Sequence, residues 1–255
     1  MLTRDDLLQA LAAIRVTAPV RAEEVTPSTN AAAARMAEEG APEWALVSAG
    51  HQTEGRGRAD RTWEDVPGRA LLCSVLLRPP PSIAPTRAGL LSLLAGAAMV
   101  GAIREVTGRR VTCKWPNDVL LHGRKVGGVL VESQVADGAF RSVVMGVGVN
   151  LDPPSDVEGA DGIGEASLRD LLTAFLVRFE EVYDAVEPSF PERVRVAWMP
   201  AAGTVGQLVR ATRTDGTVVT GRATGIDDFG ALRLSTDTGE ARVAFGDVQH
   251  LEEGG

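Results

Sequence analysis

A lysine, an asparagine and an aspartate surround a rigid Trp-Pro pair in the segment Lys114-Trp115-Pro116-Asn117-Asp118. Apolar, strand-like residues flank this segment, and the run Gly127-Gly128-Val129-Leu130-Val131-Glu132 follows it closely. Proline fixes its own φ and pushes the preceding residue toward extended geometry. We therefore expect Lys114 and Asn117 to be held at the end of a strand. A cation so placed suits a negatively charged small molecule, although a surface lysine would look the same in isolation.

Glycines alternate with arginines in a second segment, which runs from Gln52 to Trp63. The glycines let the backbone approach a ligand, while the guanidinium groups of Arg56 and Arg58 can reach a carboxylate or a phosphate. The spacing is neither that of a nucleotide-binding loop with lysine and serine or threonine nor that of a dinucleotide fingerprint. Residues 51–69 contain four arginines and four acidic residues, so a nucleic-acid patch is not favoured. A solvated turn and a loop that closes on one small anion are both compatible with the pattern.

Two further segments carry groups suited to a ligand. The polar triplet Ser28-Thr29-Asn30 precedes an alanine-rich stretch, where it would cap a helix or present hydroxyl and amide groups to a ligand. The run Gly146-Val147-Gly148-Val149-Asn150 is typical of a strand that ends at a turn. Its two glycines would also allow a ligand to lie against the backbone.

The composition limits the classes of partner. The 255 residues include 26 basic and 34 acidic side chains, which give a net charge of −8, and the sequence pI is about 5.0. This balance argues against electrostatic capture of DNA or of an anionic membrane, although it allows one local cationic pocket. The two cysteines lie in apolar runs and the three histidines are scattered. We therefore expect a reducing, cytoplasmic setting and no metal-binding Cys/His cluster.

The elements that must position these residues follow from hydrophobic periodicity and turn residues. No signal peptide is expected, and the uncharged stretch from Ala88 to Ile103 is shorter than the roughly 20 residues of a membrane span, so it predicts a buried helix. The pattern predicts helices over 5–14, 31–39 and 86–107 and one that starts at 167. It predicts strands over 45–49, 70–77, 111–115, 119–122, 126–133 and 142–150.

The composition shifts near residues 200–203, and four or five short β-prone runs follow from residue 207. Short strands at this spacing predict a small barrel. The expected fold class is α+β, with a central mixed sheet flanked by helices in a catalytic domain over 1–200. The small C-terminal β-barrel would occupy 203–252.

The order of the five segments adds a resemblance. Ser-Thr-Asn at 28–30, Gln-Thr-x-Gly-Arg-Gly-Arg at 52–58, Lys-Trp-Pro-Asn-Asp at 114–118, Gly-Gly-Val-Leu-Val-Glu at 127–132 and Gly-Val-Gly-Val-Asn at 146–150 follow one another. This series resembles the biotin protein ligases, which attach biotin to carboxylase carrier domains. The resemblance spans 28–150 and extends loosely through the C-terminal region. It implies a class II synthetase-like catalytic domain, shared by biotin and lipoate ligases, with an SH3-like barrel.

The resemblance implies a two-step reaction. The carboxylate of biotin attacks the α-phosphate of ATP to give biotinyl-adenylate and pyrophosphate, and a lysine of the carrier domain then attacks the mixed anhydride and releases AMP. The first step joins two anions, so cations and Mg²⁺ that accompanies ATP must offset their repulsion. By the resemblance Lys114 and Arg58 are the catalytic residues, and the loop closes over the water-sensitive adenylate.

The resemblance also assigns two sets of binding residues, while the metal ligands stay unassigned. The biotin-binding set is Ser28, Thr29, Asn30, Gln52, Arg56, Gly57, Arg58, Lys114 and Gly128. The nucleotide-binding set is Arg56, Arg58, Trp63, Asn117 and Asn150. The urea of biotin needs hydrogen-bond partners when it is buried, and the polar triplet with Gln52 supplies donors and acceptors for it.

Two alternatives stay open at this point. A lipoate ligase shares the broader fold and the adenylation chemistry, but its dithiolane ring offers no urea to recognise. A non-catalytic biotin or nucleotide sensor would bind without turnover. Only 27 residues precede Ser28, too few for the DNA-binding domain of repressor relatives, so a monofunctional enzyme without DNA or membrane partners is expected, as a monomer or a homodimer.

Overall fold

Two β-sheets and five α-helices make up the computed structural model, which describes residues 1–155, 157–184 and 189–251. The helices are α1 Arg4–Ala13, α2 Thr29–Glu38, α3 Ala88–Thr107, α4 Leu168–Tyr183 and α5 Phe190–Trp198. The first sheet contains β1 Val20–Thr26, β2 Leu46–Gln52, β3 Ala70–Leu77, β4 Val111–Lys114, β5 Asp118–Leu121, β6 Arg124–Ala136 and β7 Ala139–Asn150. The second contains β8 Leu208–Arg213, β9 Val218–Ile226, β10 Leu232–Thr236, β11 Gly239–Val243 and β12 Gly246–His250. The predicted elements are present with shifted ends, whereas β1 and α5 are not among the predicted elements.

The strand order of the large sheet confirms the predicted mixed sheet. The order is β1-β2-β3-β7-β6-β5-β4, in which β1 and β2 are parallel and every other neighbouring pair is antiparallel. Short connections explain the antiparallel pairs β4–β5, β5–β6 and β6–β7, because antiparallel neighbours can be joined by tight turns whereas a parallel pair needs a crossover. Here α2 is the crossover between β1 and β2.

A row of directly opposed residues crosses four strands of this sheet. Gly148 on β7 lies opposite Gly128 on β6, which lies opposite Asp118 on β5, which lies opposite Lys114 on β4. Directly opposed residues project from the same face of a sheet. The glycines therefore leave an open floor on one face, with a carboxylate and an ammonium at one end of it.

Helices cover both faces of the large sheet. On the face that carries the glycines, α2 packs Ala32, Ala33 and Met36 against β2, β3 and β7. On the opposite face, α3 packs against β4, β5, β6 and α4. The segment Pro85–Thr107 is long and apolar enough to cross a membrane by length and composition alone, and 67% of its most apolar window is buried inside the fold. It is longer than the uncharged stretch suggested, but the expectation of a buried helix is confirmed.

The second sheet is antiparallel throughout and lies against the first at β4. Its order is β11-β10-β9-β8-β12, so the expected C-terminal β domain is confirmed as a linear five-stranded sheet, and its described strands include no pairing of β11 with β12. The Trp115 backbone N–H donates to Thr204 Oγ1 at 3.0 Å and its indole N–H donates to the Gly230 carbonyl at 3.0 Å. The boundaries 1–200 and 203–252 stay predictions, and residue 252 lies outside the described residues.

Candidate active site

A cavity opens over the glycine row, between the first turn of α2 and the arginine-rich segment. All but two of the predicted site residues line it, namely Ser28, Thr29, Asn30, Gln52, Arg56, Gly57, Arg58, Trp63, Asn117 and Gly128. The two that do not are Lys114 and Asn150. The cavity is also lined by Gly146 and Gly148, the glycines at which the sequence indicated that a ligand could lie against the backbone. Further lining residues that sequence reasoning did not assign include Arg61, Asp118, Lys125 and Asp247.

Four polar side chains form a hydrogen-bonded set that we call the polar wall: buried Thr29, Asn30 and Ser74, and half-buried Gln52. All of them except Ser74 line the cavity. Gln52 Oε1 accepts from the Thr29 backbone N–H at 2.8 Å and from the Thr29 hydroxyl at 3.0 Å. Ser74 Oγ lies 2.8 Å from Thr29 Oγ1 and 2.7 Å from Asn30 Oδ1. The carbonyl of Gln52 is occupied in this way, so its NH₂ group remains available to a ligand.

Local sequence explains why these groups meet. Ser28 is the N-cap of α2, and its side chain accepts from the Ala31 backbone N–H at 3.4 Å, which places Thr29 and Asn30 in the first helical turn. Gly146 makes room for the helix, because a Cβ there would lie 2.1 Å from Asn30 Oδ1. The glycine thus accommodates a side chain of the wall, where the sequence had indicated only a ligand against the backbone.

The arginine-rich segment is a hairpin rather than an irregular loop, and we call residues 55–63 the arginine hairpin. Arg56 and Thr62 form an antiparallel bridge, and the Trp63 N–H donates to the Gly55 carbonyl at 2.9 Å. At the tip, Ala59 and Asp60 both have positive φ, 52° and 58°. Two successive positive φ values are the signature of a type I′ turn, which favours Asn-Gly. Neither residue here is glycine, so the tip carries backbone strain.

Side-chain pairs join the hairpin to both sheets. Arg56 donates to Glu132 Oε2 at 2.9 Å, and the same oxygen accepts from Asn30 Nδ2 at 2.7 Å. Arg61 pairs with Asp247 of β12. The second sheet therefore contributes a carboxylate to the wall of the cavity and holds the hairpin over it.

Arg58 lies deeper than the other hairpin arginines. It donates to Asn117 Oδ1 at 3.4 Å, and Asn117 in turn donates to the Val129 carbonyl at 2.7 Å. Burial lowers the pKa of the Arg58 guanidinium, while the carboxylate of Asp247 opposes that shift. An arginine remains charged under such a shift, so the cavity contains a partly desolvated cation that an anionic ligand would stabilise.

Trp63 forms another side of the cavity. Its ring lies over Gly148, where a Cβ would come within 2.7 Å of the ring, and the Lys125 ammonium lies 6.0 Å from the ring centroid. The indole N–H of Trp63 is buried and has no hydrogen-bond partner. A buried donor of this kind usually has a partner, so it is available to a ligand in the cavity.

The whole sequence contains only two lysines, Lys114 and Lys125. In the structure one of them lies over the cavity floor and the other lines a neighbouring cavity. Lys125 Nζ lies 2.6 Å from Asp118 Oδ1 and would be 3.5 Å from a Cβ at Gly128, so its side chain folds over the glycine floor. Lys114 lies two strands away from Gly128 and lines a neighbouring cavity instead. A two-residue connection and a register shift in the β5–β6 pair place Lys125 at the floor.

Asn150 ends β7, where it is buried with Oδ1 unpartnered, and it does not line the cavity.

Among the described residues there is no group of three or more His, Cys, Asp or Glu side chains that could hold a metal ion. Asp118 and Asp247 nevertheless fit Mg²⁺ that is bound mainly by phosphates, because such ions use one or two carboxylates.

Known proteins are similar to this chain in sequence. Residues 22–150, half of the chain, match the Biotin/lipoate A/B protein ligase family, and residues 204–251 match the Biotin protein ligase C terminal domain. The biotin–[acetyl-CoA-carboxylase] ligase of Paracoccus denitrificans is 34% identical over an alignment of 240 positions, which covers 88% of this chain and 97% of that protein. The bifunctional ligase/repressor BirA of Bacillus subtilis is 34% identical over 89% of this chain and 72% of that protein.

A solved structure shares the fold. The biotin protein ligase from Aquifex aeolicus in complex with biotin and ATP aligns with a TM-score of 0.73 at 22% identity, over 91% of this chain and 99% of that chain. The family match over half of the sequence and the relative that aligns over nearly its full length lead to one conclusion. The chain belongs to the Biotin/lipoate A/B protein ligase family.

Proposed function

We propose that this protein is an ATP-dependent biotin protein ligase, which activates biotin as biotinyl-adenylate and transfers it to a lysine of a biotin carboxyl carrier domain. The observation that carries the proposal is one cavity with a polar wall at one end and two cations, Lys125 and Arg58, further along. Relatives in this family bear the name biotin–[acetyl-CoA-carboxylase] ligase. A relative with the same fold was solved with biotin and ATP.

The polar wall favours biotin over lipoate. The NH₂ group of Gln52 can donate to the urea carbonyl, and the hydroxyl groups of Ser28 and Thr29 can accept from the urea N–H groups. A dithiolane ring would leave these buried groups unpaired, which penalises binding strongly. The Bacillus and Paracoccus relatives carry biotin or ligase names rather than lipoate names, so lipoate ligation is the weaker alternative.

Lys125 takes the role that the resemblance gave to Lys114. Its ammonium lies over the glycine floor of the cavity, which Arg58 also lines. We place the carboxylate of the acid and the α-phosphate of ATP between these two cations. Cations fixed in advance at that point stabilise the charge that develops in the transition state. Bound Mg²⁺ would further neutralise the phosphates. Arg56, Gly57 and Gly128 are proposed to complete the biotin site.

The nucleotide is proposed to contact Arg56, Arg58, Trp63 and Asn117, which line the cavity. Asn150 is proposed to act only indirectly, since it lies outside the cavity. The second step needs the carrier lysine to reach the same acyl carbon.

The two cysteines are buried and free, and burial raises the pKa of each thiol to about 12. Such inert thiols support a cytoplasmic setting, whether the protein acts as a monomer or a homodimer.

Pyrophosphate release tests the proposal. The protein mixed with biotin, ATP and Mg²⁺ should release pyrophosphate and then label a carrier-domain lysine, whereas lipoate should support neither step. Lys125→Ala should slow adenylate formation about 100-fold, because one such charged contact contributes roughly 3 kcal/mol. Arg110→Ala removes an exposed cation just before β4 and should change nothing. Release with lipoate only, or with neither acid, would refute the assignment.

A further inference from the structure

We propose that residues 157–165, which we call the strap, hold the backbone of Lys125 in place, and that Arg124 is the positioning residue that fastens the strap. The proposal deepens the proposed ligase function and rests on it, since it takes Lys125 as a cation of adenylation. The described residues of the strap do not line the active-site cavity. They therefore act on the reaction through Lys125 and not by contact with a substrate in that cavity.

The strap replaces β7 as the neighbour of β6 at the point where β6 begins. β7 pairs with β6 from Gly127 onward, so Lys125 lies beyond the end of β7. The strap runs parallel to β6 there: the Lys125 N–H donates to the Gly159 carbonyl at 2.9 Å, and the Asp161 N–H donates to the Lys125 carbonyl at 2.8 Å. Both polar backbone groups of Lys125 are paired in this way. The strap thus fixes the Cα from which the Lys125 side chain starts.

Arg124 fastens the strap from the adjacent position of β6. Its guanidinium donates to the Ala160 carbonyl at 2.7 Å, and its Nε lies 3.6 Å from Asp161 Oδ2. The other carboxylate oxygen of Asp161 accepts the Gly162 N–H at 2.8 Å. The Arg124 side chain is 56% exposed, so its removal should leave the core intact. It lies outside the cavity lining, and its effect on the reaction must pass through the strap.

The strap is itself held at its base, where Arg69 joins its two ends. The Arg69 guanidinium lies 2.6 Å from Asp152 Oδ2, on the segment that leads into the strap, and 2.6 Å from Glu165 Oε1, at its end. Gly162 allows a close return of the chain, because a Cβ there would lie 2.2 Å from the Leu151 carbonyl oxygen. These contacts give the strap a defined position relative to the sheet, and the strap passes that position on to Lys125.

The position of the Lys125 charge depends on both ends of its side chain. Nζ lies 2.6 Å from Asp118 Oδ1, and the four-carbon stem between Nζ and the backbone is flexible. Asp118 on β5 restrains the ammonium, whereas the strap restrains the backbone. A cation stabilises a transition state best when it is already in place as charge develops, and small displacements lower the rate. Opening of the strap should therefore reduce kcat and leave substrate binding nearly unchanged.

Amide hydrogen exchange tests whether Arg124 fastens the strap. In Arg124→Ala the Lys125 and Asp161 amides should exchange about fivefold faster or more, and by the same factor, because one local opening frees both. The Val129 amide, which donates to the Asn117 carbonyl at 3.0 Å, is the internal reference and should not change. Unchanged exchange at Lys125 and Asp161 overturns the proposal.

Arg141→Ala is the matched control. Arg141 pairs with Asp137 at 3.9 Å beside the turn between β6 and β7, and both side chains are exposed. Neither the exchange of the Lys125 amide nor turnover should respond to this variant. Faster exchange at Lys125 in Arg141→Ala as well would trace the effect to lost surface charge and overturn the proposal.

Pyrophosphate release tests whether the strap matters for the reaction. Arg124→Ala should lower kcat about fivefold while the KM values for biotin and ATP stay within about twofold of the parent. Arg124→Lys, which keeps a donor near the Ala160 carbonyl, should recover most of the rate, and Arg69→Gln should reproduce the loss from the base of the strap. Full kcat in Arg124→Ala despite faster exchange overturns the proposal. If the Lys125 amide responds but the parent releases no pyrophosphate with biotin or lipoate, the strap still holds Lys125 and the ligase function falls.

Discussion

The polar wall and the arginine hairpin face each other across one cavity, but they are held in opposite ways. Thr29, Asn30 and Ser74 are at most 4% exposed and satisfy one another's hydrogen bonds. The Arg56 and Arg61 side chains are 48% and 53% exposed. Exposed ion pairs contribute little, whereas breaking a buried hydrogen-bond network leaves unsatisfied groups. The wall is therefore pre-formed, and the hairpin is held weakly.

The polar wall and the arginine hairpin can therefore have different roles in binding. A rigid wall can discriminate a urea from an apolar ring before any closure, because its donors and acceptors are already fixed. A weakly held hairpin can open to admit two substrates and then close over an intermediate that water would destroy. Substitutions in the wall, in the contact that joins the two regions and in the hairpin should therefore have effects of decreasing size.

Gly146→Ala should have the largest effect. Its Cβ would lie 2.1 Å from Asn30 Oδ1, and Asn30 cannot withdraw without breaking its bonds to Ser74 and Glu132. We expect a loss of about 1–3 kcal/mol in the free energy of unfolding, as for other overpacked sites. Biotin affinity should fall about 100-fold. Denaturant unfolding and calorimetric titration measure the two quantities.

Gly128→Ala is the matched substitution on the same face of the neighbouring strand. A Cβ there would lie 3.4 Å from the flexible end of Lys125 and 3.7 Å from the Asn117 carbonyl oxygen, which are ordinary van der Waals distances. Its stability should therefore be close to that of the parent. Equal stability losses in the two variants would show that the wall is not rigid.

Glu132→Gln should have a moderate effect, because Glu132 Oε2 accepts from both Asn30 of the wall and Arg56 of the hairpin. The pair with Arg56 is partly exposed, so its removal should cost at most about 1 kcal/mol. Proteolysis within residues 55–63 should become several-fold faster in the absence of ligand. Biotin affinity should change less than in Gly146→Ala.

Glu39→Gln provides the control for this prediction. It removes an ion pair of the same length, 2.9 Å, between exposed side chains of Arg21 and Glu39, away from the cavity. Hairpin proteolysis should not respond to it. A similar acceleration in both variants would mean that proteolysis of the hairpin depends on the overall charge of the protein and not on the contact of Glu132 with the polar wall.

Sequence alone indicated Thr29, Asn30 and Gln52 of the polar wall, but it indicated neither Ser74 nor Lys125. The cap at Ser28 and the strand that ends at Gln52 are local patterns, and they bring the polar triplet to the cavity without further information. The choice between Lys114 and Lys125 depends on the register of β5 and β6, which contains a shift. A shift of one residue moves every side chain to the other face, and periodicity does not reveal it. The sequence offered one relevant signal: it contains only two lysines, so Lys125 was the one other candidate for the role given to Lys114.

The remaining contacts of the hairpin depend on tertiary structure. Asp247 lies 186 residues after Arg61, and nothing near either residue indicates the pair. The type I′ turn was also hidden, because Ala59-Asp60 does not carry the Asn-Gly signature that predicts such turns. Prediction from local sequence therefore failed where the backbone adopts a conformation that its residues disfavour, which is typical of functional segments.

The smallest effect is expected from relieving the backbone strain at the tip of the arginine hairpin. Replacing Ala59→Asn together with Asp60→Gly supplies the residues that favour positive φ at both turn positions. The closed hairpin should gain only about 0.5 kcal/mol relative to the open one, because the relief of positive φ at residue 60 is largely offset by the greater backbone freedom of glycine in the open state. In the unligated protein, residues 55–63 should resist proteolysis about twofold better, and biotin should dissociate more slowly. The turn between β6 and β7 is the control, because it already has glycine after Asp137 (φ 55°), so Asp137→Asn should change neither measurement. If the double variant is cleaved at the parental rate, the strain at the tip does not limit closure, and only the exposed ion pairs set the difference between hairpin and wall.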